Sequence, residues 1–340
     1  MDAHASESET KTAEPKEKHV VVATHGFCLD GLCSAAMFTR LLRHIDGGPL
    51  RFTYAACGYG PGQNGVDPKV LSGEVNAILD YRFSPSPKLT WYFDHHVSAF
   101  QGDEEKRLYA ERARVPGRDR HFFHDGAYGS CTKLIADVGA REFGLDPAPT
   151  ASLVRWADMI DSASFPSAEF AVNRAEPVLR LMTVVESSSD DAFLARMVPR
   201  LLEEPIEDLA REPEIAAAYA PLGTANEAFI GFVREAAREK GGVVFVDLTD
   251  RLLDTVAKFV TYALYPKSAY SVVVSRSKSK CKLSIGYNPW SNVERRHNIA
   301  AICERYGGGG HPVVGAVTFP AGDVDRAREI GRTVADELAT

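Results

Sequence analysis

Over the first half of the chain, short β-branched runs alternate with longer stretches of helical hydrophobic spacing. His19–Thr24 (HVVVAT) predicts a strand, followed by a glycine-containing turn and a helix over Leu32–Leu42. Ala77–Leu79, ending at Asp80, predicts a second strand and Leu89–Phe93 a third. Gly129–Gly139, which opens with Ser130 and Thr132, predicts a capped helix. Leu153–Ile160, ending at Asp161, predicts another. Strands alternating with helices imply an α/β fold with a mainly parallel sheet covered on both faces. From Ser188 to Lys240 the pattern is helical and charged without obvious strands, which predicts a helical connector. Gly241 and Gly242 punctuate it. Strands are then expected at Val243–Asp247, Tyr270–Ser275 and Lys282–Tyr287, and a helix at Ile299–Tyr306 before Gly307–Pro312. The expected division is a disordered polar tail at 1–18, a catalytic α/β domain at 19–187, the connector at 188–240 and a smaller α/β domain at 241–340. No internal repeat is visible.

At 340 residues the chain exceeds one ordinary domain, and a 45% hydrophobic content can fill two cores. The net charge of −7 gives no general attraction to long nucleic acid, whose backbone binding requires clustered Lys and Arg. The six cysteines (28, 33, 57, 131, 281, 303) show no C-x-x-C spacing, which is the usage of free thiols in a reducing cytoplasm. Cytoplasmic location is therefore expected. No membrane association is expected, because no apolar run approaches bilayer length.

Chemistry-bearing residues stand at the ends of several apolar runs. His25-Gly26-Phe27-Cys28-Leu29-Asp30-Gly31 follows the first, Asp80 the second, Asp94-His95-His96 the third, and Asp158 and Asp161 close a helix. Strand ends are where ligands bind in open α/β sheets. Carboxylates and imidazoles gathered at one sheet edge would repel one another or stay undersolvated without a cation between them. Oxygen-rich ligands with a few imidazoles suit Mn²⁺ or Mg²⁺ better than a structural zinc site. In the second domain, Gly307–Gly310 lets backbone N–H groups approach an anion, and His311 adds a side-chain donor; a flexible loop ending a helix is the alternative. Arg276, at a strand end, is either a phosphate clamp or a solvated arginine beside Lys278, Lys280 and Lys282. Asn288 and Trp290 are candidates for contact with a base or sugar, although a tryptophan is more often core. His44, His121, His124 and His297 are expected to hold no metal, with His121 and His124 in a loop near Arg118 and Arg120.

With these motifs in place, the chain resembles the DHH phosphoesterase superfamily, which includes RecJ-like exonucleases, oligoribonucleases, cyclic-dinucleotide phosphodiesterases and family II pyrophosphatases. The resemblance covers nearly all of residues 19–320. It rests on His25 and Asp30-Gly31, Asp80, Asp94-His95-His96 and Asp161, and on Gly307–Pro312 as the GGGHP signature of the family's associated C-terminal domain. It implies a phosphoesterase with a divalent centre of one or two ions, most simply Mn²⁺, with Mg²⁺ or another transition ion as alternatives. It also implies a substrate held in the cleft between the two domains.

Carried over by residue, His25 and Asp80 would hold one metal, and Asp30, Asp80, His95 and Asp161 the other, with Asp80 bridging. His96 would face the scissile phosphate, and Asp94 would orient a neighbouring imidazole. Asp161 is preferred to Asp158 because Asp-Ser-Ala-Ser-Phe resembles the family's Asp-Thr-x-x-Phe. Gly308, Gly309, Gly310 and His311 would bind substrate. Cys28 departs from the pattern, since it stands where the family's first motif carries an Asp. It is either a soft thiolate ligand or a small buried residue, which leaves metal number and identity open. The implied function is hydrolysis of short oligonucleotides, or of linear or cyclic dinucleotides, to mononucleotides. The alternatives are a polyphosphatase or pyrophosphatase, and a nucleotide-binding sensor that lost turnover through Cys28. No obligate protein partner is expected, and the chain is expected to be a monomer or homodimer.

Overall fold

The computed structural model describes residues 16–58, 65–114, 121–188, 190, 192–253, 257 and 259–340. Most of the expected tail, and with it Arg118 and Arg120, lies outside the described residues, and Lys18 already begins a strand. Five strands, β1 (Lys18–His25), β2 (Leu50–Cys57), β3 (Val75–Leu79), β4 (Trp91–Asp94) and β5 (His121–His124), form an all-parallel sheet in the order β2-β1-β3-β4-β5. Helices α1 (Leu29–Ile45), α2 (Asp103–Arg114), α3 (Cys131–Phe143) and α4 (Ala151–Asp161) accompany it. The chain continues through α5 (Ala168–Asn173), α6 (Pro177–Ser187), α7 (Ala192–Glu203), α8 (Ile206–Leu209) and α9 (Pro213–Ala236). A second sheet contains β6 (Ala237–Lys240), β7 (Val243–Leu252), β8 (Tyr270–Arg276), β9 (Lys280–Tyr287), β10 (Gly309–His311) and β11 (Val314–Pro320). Helices α10 (Val260–Leu264), α11 (Ile299–Glu304) and α12 (Val324–Leu338) complete the chain.

Two compact units result, one from residues up to Ser164 together with Val185–Ala210, the other from Phe165–Val184 together with Arg211–Thr340. In the first, Val20 to Ala23 are all buried, as expected of an interior strand covered on both faces. Helices α1 and α3 pack against each other and against sheet strands. Ala23, Ile78, Tyr92 and Phe122 form an aromatic-rich core with Phe83, Leu71 and Leu89. In the second unit the order is β10-β11-β9-β8-β7-β6, and only β7 and β8 run parallel. One core joins Val272, Val274, Leu283 and Val317 to residues of α11 and α12; another joins Val244, Val246 and Val273 to residues of α5, α9 and α10.

Three expectations require correction. β2 has no counterpart in the sequence reading, and its edge position explains why: exposed and partly buried residues alternate along most of it, so it lacks an apolar run. His121 and His124 belong to strand β5 rather than a loop, with the His121 ring stacked 4.0 Å from Trp91. The stretch 188–240 is not a free-standing connector. Its amphipathic stripes must be buried somewhere, so α7 packs on α1 and β2 while α9 packs on β7, and Ala237–Lys240 pairs with β7 as a strand.

If α7 is core, Leu201→Ala should destabilise the protein by about 2–5 kcal/mol, the usual cost of truncating a buried leucine. The change would be read as a lower urea midpoint, whereas a solvated connector would leave the midpoint unmoved.

Candidate metal centre

The strand order creates the site. After β1 the chain moves to β2 on one side and later returns to β3 on the other, so strand order reverses at β1/β3. Such a reversal opens a crevice beyond the carboxyl ends of the strands. His25 ends β1, Asp80 follows β3, and Asp94-His95-His96 closes β4.

Each side chain is fixed locally. Asp30 lies in the first turn of α1, and Gly31 behind it lets that helix approach the end of β1. A Cβ at Gly31 would sit 2.1 Å from the His25 carbonyl oxygen, far closer than any real contact. The Asp30 carboxylate accepts the first N–H groups of α3, from Cys131 at 2.7 Å and Thr132 at 3.0 Å. Asp80 adopts a left-handed backbone (φ 52°), which costs about 1–2 kcal/mol. Its N–H donates to the Phe93 carbonyl at 2.9 Å, locking the turn to β4. Asp94 is fully buried, and Oδ1 accepts the His95 and His96 backbone N–H groups and His96 Nδ1–H at 2.8 Å. Its Oδ2 accepts the Tyr92 hydroxyl at 3.0 Å. This carboxylate orients His96 and has little capacity left.

His95 Nδ1 lies 3.1 Å from the Tyr128 carbonyl, which can only accept, so Nδ1 carries a proton and Nε2 is the ring nitrogen turned to the carboxylates. That nitrogen is 3.1 Å from Asp161 Oδ2, 3.6 Å from Asp80 Oδ1 and 3.9 Å from Asp30 Oδ2. Asp80 Oδ1 and His95 Nε2 are both buried, and neither has a partner in good hydrogen-bond geometry. Asp80 Oδ2 points the other way, 3.9 Å from His25 Nδ1 and 3.8 Å from Cys28 Sγ. Two unit charges 4 Å apart interact by about 4 kcal/mol at an effective dielectric of 20. A hydrogen bond to a charged group contributes about 1.5–3 kcal/mol. The two α3 donors serve Asp30 alone, so the repulsion that Asp80 and Asp161 add is left for a cation to offset.

The protonation tendencies follow from the same crowding. Burial, then Asp80 and Asp161, pushes the Asp30 carboxyl well above its usual range. Burial also raises Asp80, against the neighbouring His95. Burial opposes charge on His95, but Asp161, Asp80 and Asp30 outweigh it and lift the imidazole to about 11. Burial, then Asp80 and Asp30, keeps the Cys28 thiol well above its ordinary value. The orphaned atoms and the donor set fit divalent ions. His25, Cys28 and Asp80 form one group with ligand atoms within 4.8 Å of one another, and Asp30, His95 and Asp161 form a second. Asp80, His95 and His96 form a third, so Asp80 can offer one oxygen to each side. Asp158 instead accepts from Ser130 Oγ at 3.3 Å, and Ser130 caps α3 by accepting the Lys133 N–H.

In the second unit, a cavity of about 700 Å³ contains Gly309, Gly310 and His311 in its lining. The glycine segment is an edge strand, β10, antiparallel to β11. Gly310 (φ 155°) has no room for a Cβ against the Val314 carbonyl, and Gly308 none against that of Ala316. Gly308 itself lies outside the lining. Strand alternation leaves Arg276 out of this lining: Ser271, Val273, Ser275 and Ser277 line the cavity, while Val272 and Val274 face the opposite core, and Arg276, whose Nε is buried without a hydrogen-bond partner, shares their parity. The cations that do line the cavity are Lys280 and Lys282 of β9. Asn288 is also corrected. It is fully buried, and its amide donates to the Pro266 and Ser268 carbonyls and accepts the Trp290 N–H, leaving nothing for a ligand. Trp290 Nε1–H donates to the Phe165 carbonyl, and the ring packs edge-on to Phe259.

The sequence reading missed several supports. Tyr92 holds Asp94, the Tyr128 carbonyl sets the His95 tautomer, and His124 Nε2–H donates to the His96 carbonyl at 2.9 Å. Only Lys280 and Lys282 left a signal, because they alternate with the apolar Cys281 and Leu283.

No protein-family model matches this sequence, and no curated protein matches it. Among solved structures, the chain is similar to the pGpG-specific phosphodiesterase PggH from Vibrio cholerae, at 18% identity over 94% of this chain and 100% of that one, with a TM-score of 0.63. It is also similar to the DHH domain of a member of a ribosomal-protein family, at 12% identity over 94% of this chain and 87% of that one, with a TM-score of 0.59. A fainter likeness is to RecJ from Thermus thermophilus in complex with Mn²⁺, at 12% identity over 94% of this chain and 52% of that one, with a TM-score of 0.48. The chain shares the fold of the first two of these structures, one of which is a DHH domain.

A metal must displace the proton from His95 Nε2, so Mn²⁺ affinity should rise with pH up to about 11. Chelator-treated protein should lose thermal stability as pH climbs from the unfolded histidine value of about 6.5 toward 11, because the folded state binds the proton more tightly. Melting curves at several pH values, with and without Mn²⁺, test both. A flat, metal-independent profile would contradict the cluster's role.

Proposed function

We propose that this chain is a metal-dependent phosphodiesterase that hydrolyses short oligonucleotides, or linear or cyclic dinucleotides, to mononucleotides. The observation that carries the reading is the convergence of Asp30, Asp80 and Asp161 on the buried His95 Nε2. Divalent ions supply positive charge against phosphoryl oxygens and acidify water. Mn²⁺ suits the carboxylate-rich group Asp30–His95–Asp161. The protein's own residues do the rest. Asp94 holds His96 by Nδ1, leaving Nε2 as the free ring nitrogen of a side chain that is 38% exposed. The Asp94 hydrogen bond raises His96 above its ordinary value despite burial, which favours the protonated form that can donate to a phosphoryl or leaving oxygen.

The second unit supports a nucleotide over a bare polyphosphate. Its cavity combines Lys280, Lys282 and His311 with an apolar wall that includes Phe229, Phe259 and Tyr262, and no carboxylate is among its described lining residues. Such a lining suits an anion carrying a ring. The acidic net charge argues for short substrates over long duplexes.

PggH is pGpG-specific by name, so pGpG with Mn²⁺ is the first assay, read as release of mononucleotide. Asp80→Asn or His95→Ala should abolish turnover, and unchanged rates in both would overturn the proposal. His96→Ala should lower kcat by about 10²–10⁴, the range for a lost general acid. The alkaline limb of the kcat profile should move to lower pH in Asp94→Asn, since the group holding the His96 proton is weakened. Lys282→Ala should raise KM about tenfold, or about 1.4 kcal/mol, with kcat little changed.

A further inference from the structure

The two donor groups that share Asp80 are chemically unequal. Asp30, His95 and Asp161 offer two carboxylates and one imidazole; His25, Cys28 and Asp80 offer an imidazole, a thiol and one carboxylate. Cys28 does not behave as the other cysteines do. Cys33, Cys131, Cys281 and Cys303 are buried. Cys57 is part-exposed and donates to a backbone carbonyl, as do Cys131 and Cys281. Cys28 is also part-exposed, and its Sγ lies instead 3.8 Å from a carboxylate oxygen, the outer limit of a thiol hydrogen bond. It also occupies the N-cap of the 17-residue α1 without making a capping hydrogen bond. Ser, Thr, Asp or Asn would serve better for capping alone.

The distances suit a shared ion. Around a tetrahedral ion with bonds of about 2.3 Å to sulfur and about 2.1 Å to nitrogen or oxygen, S···O separations are about 3.6 Å and N···O about 3.4 Å. The observed 3.8 Å (Cys28 Sγ to Asp80 Oδ2) and 3.9 Å (His25 Nδ1 to Asp80 Oδ2) lie close to these values. The three ligand atoms of His25, Cys28 and Asp80 also lie within 4.8 Å of one another, and Asp80 is 1% exposed, so Oδ2 has little water to turn to. An N/S/O set selects borderline-soft divalent ions over Mg²⁺.

We infer that the His25–Cys28–Asp80 group binds a thiophilic divalent transition ion through a Cys28 thiolate, while the Asp30–His95–Asp161 group takes a harder ion, making the centre heterometallic. This rests on the metal-dependent reading above. On binding, the Cys28 S–H bond breaks, its proton passes to solvent, and the freed electron pair forms the sulfur–metal bond without change of oxidation state.

Co²⁺ titration of the full chain, followed by absorption, tests it without any turnover. The expected result is a near-ultraviolet thiolate-to-cobalt charge-transfer band that saturates at one ion per chain. Cys28→Ser should lose the band. Cys28→Asp, which restores a carboxylate, should bind Co²⁺ without it and guards against a serine variant that fails to fold. After dialysis against excess Mg²⁺, metal analysis should find one Co²⁺ retained by the native chain and released by Cys28→Asp. Absence of the band in the native chain, or its persistence in either variant, overturns the inference. A native chain that shows the band but leaves pGpG intact would sink the proposed function alone. One that cleaves pGpG without the band would sink this inference alone.

Discussion

Three carboxylates within 4 Å of one imidazole nitrogen are the constraint on which the first unit turns. Burial removes the water that would screen them, and the few N–H donors nearby offset only part of their repulsion. A protein that keeps such a cluster must bring positive charge to it, as a proton or as a metal ion. The lifted protonation ranges of Asp30, Asp80 and His95 express that demand, and the orphaned Asp80 and His95 atoms show where the charge belongs.

The rest of the unit maintains this unfavourable arrangement. The β-branched β1 is buried on both faces, and hydrophobic burial of about 25 cal/mol per Å² holds it against the local strain. Gly31 allows α1 to seat Asp30 deep enough to meet the N-terminus of α3. Tyr92, Asp94 and His124 fix the His95-His96 segment from behind. The left-handed turn at Asp80 directs its two oxygens to opposite sides, which lets one residue serve two donor groups.

The second unit sets cations beside an apolar wall, the lining that the proposed function assigns to an anion attached to a ring. Its glycines serve first the close pairing of β10 with β11 and only then the cavity. Alternation along β8 and β9 gives one face serines and lysines and the other a hydrophobic core. Asn288 and Trp290, polar and aromatic residues that looked available to a ligand, are instead occupied in holding the loop after β9.

The sequence alone carried the α/β alternation, the strands β1, β3, β4, β7, β8 and β9, and the residues at their ends. These were legible because interior strands are continuous apolar runs and a polar residue that closes one stands out. β2 and β5 were not legible, since edge strands carry polar residues and owe their existence to pairing with a neighbour. The choice of Asp161 over Asp158 lay in a motif, but its reason, proximity to His95 against a hydrogen bond to Ser130, is a fact of packing. Which cations share a cavity with the glycine segment was decided by strand parity, which puts Lys280 and Lys282 in its lining and Arg276 on the parity of Val272 and Val274. Residue types determine what chemistry a chain can perform; only the tertiary fold determines which of them share a few ångströms, because that depends on contacts between segments that are far apart in the sequence.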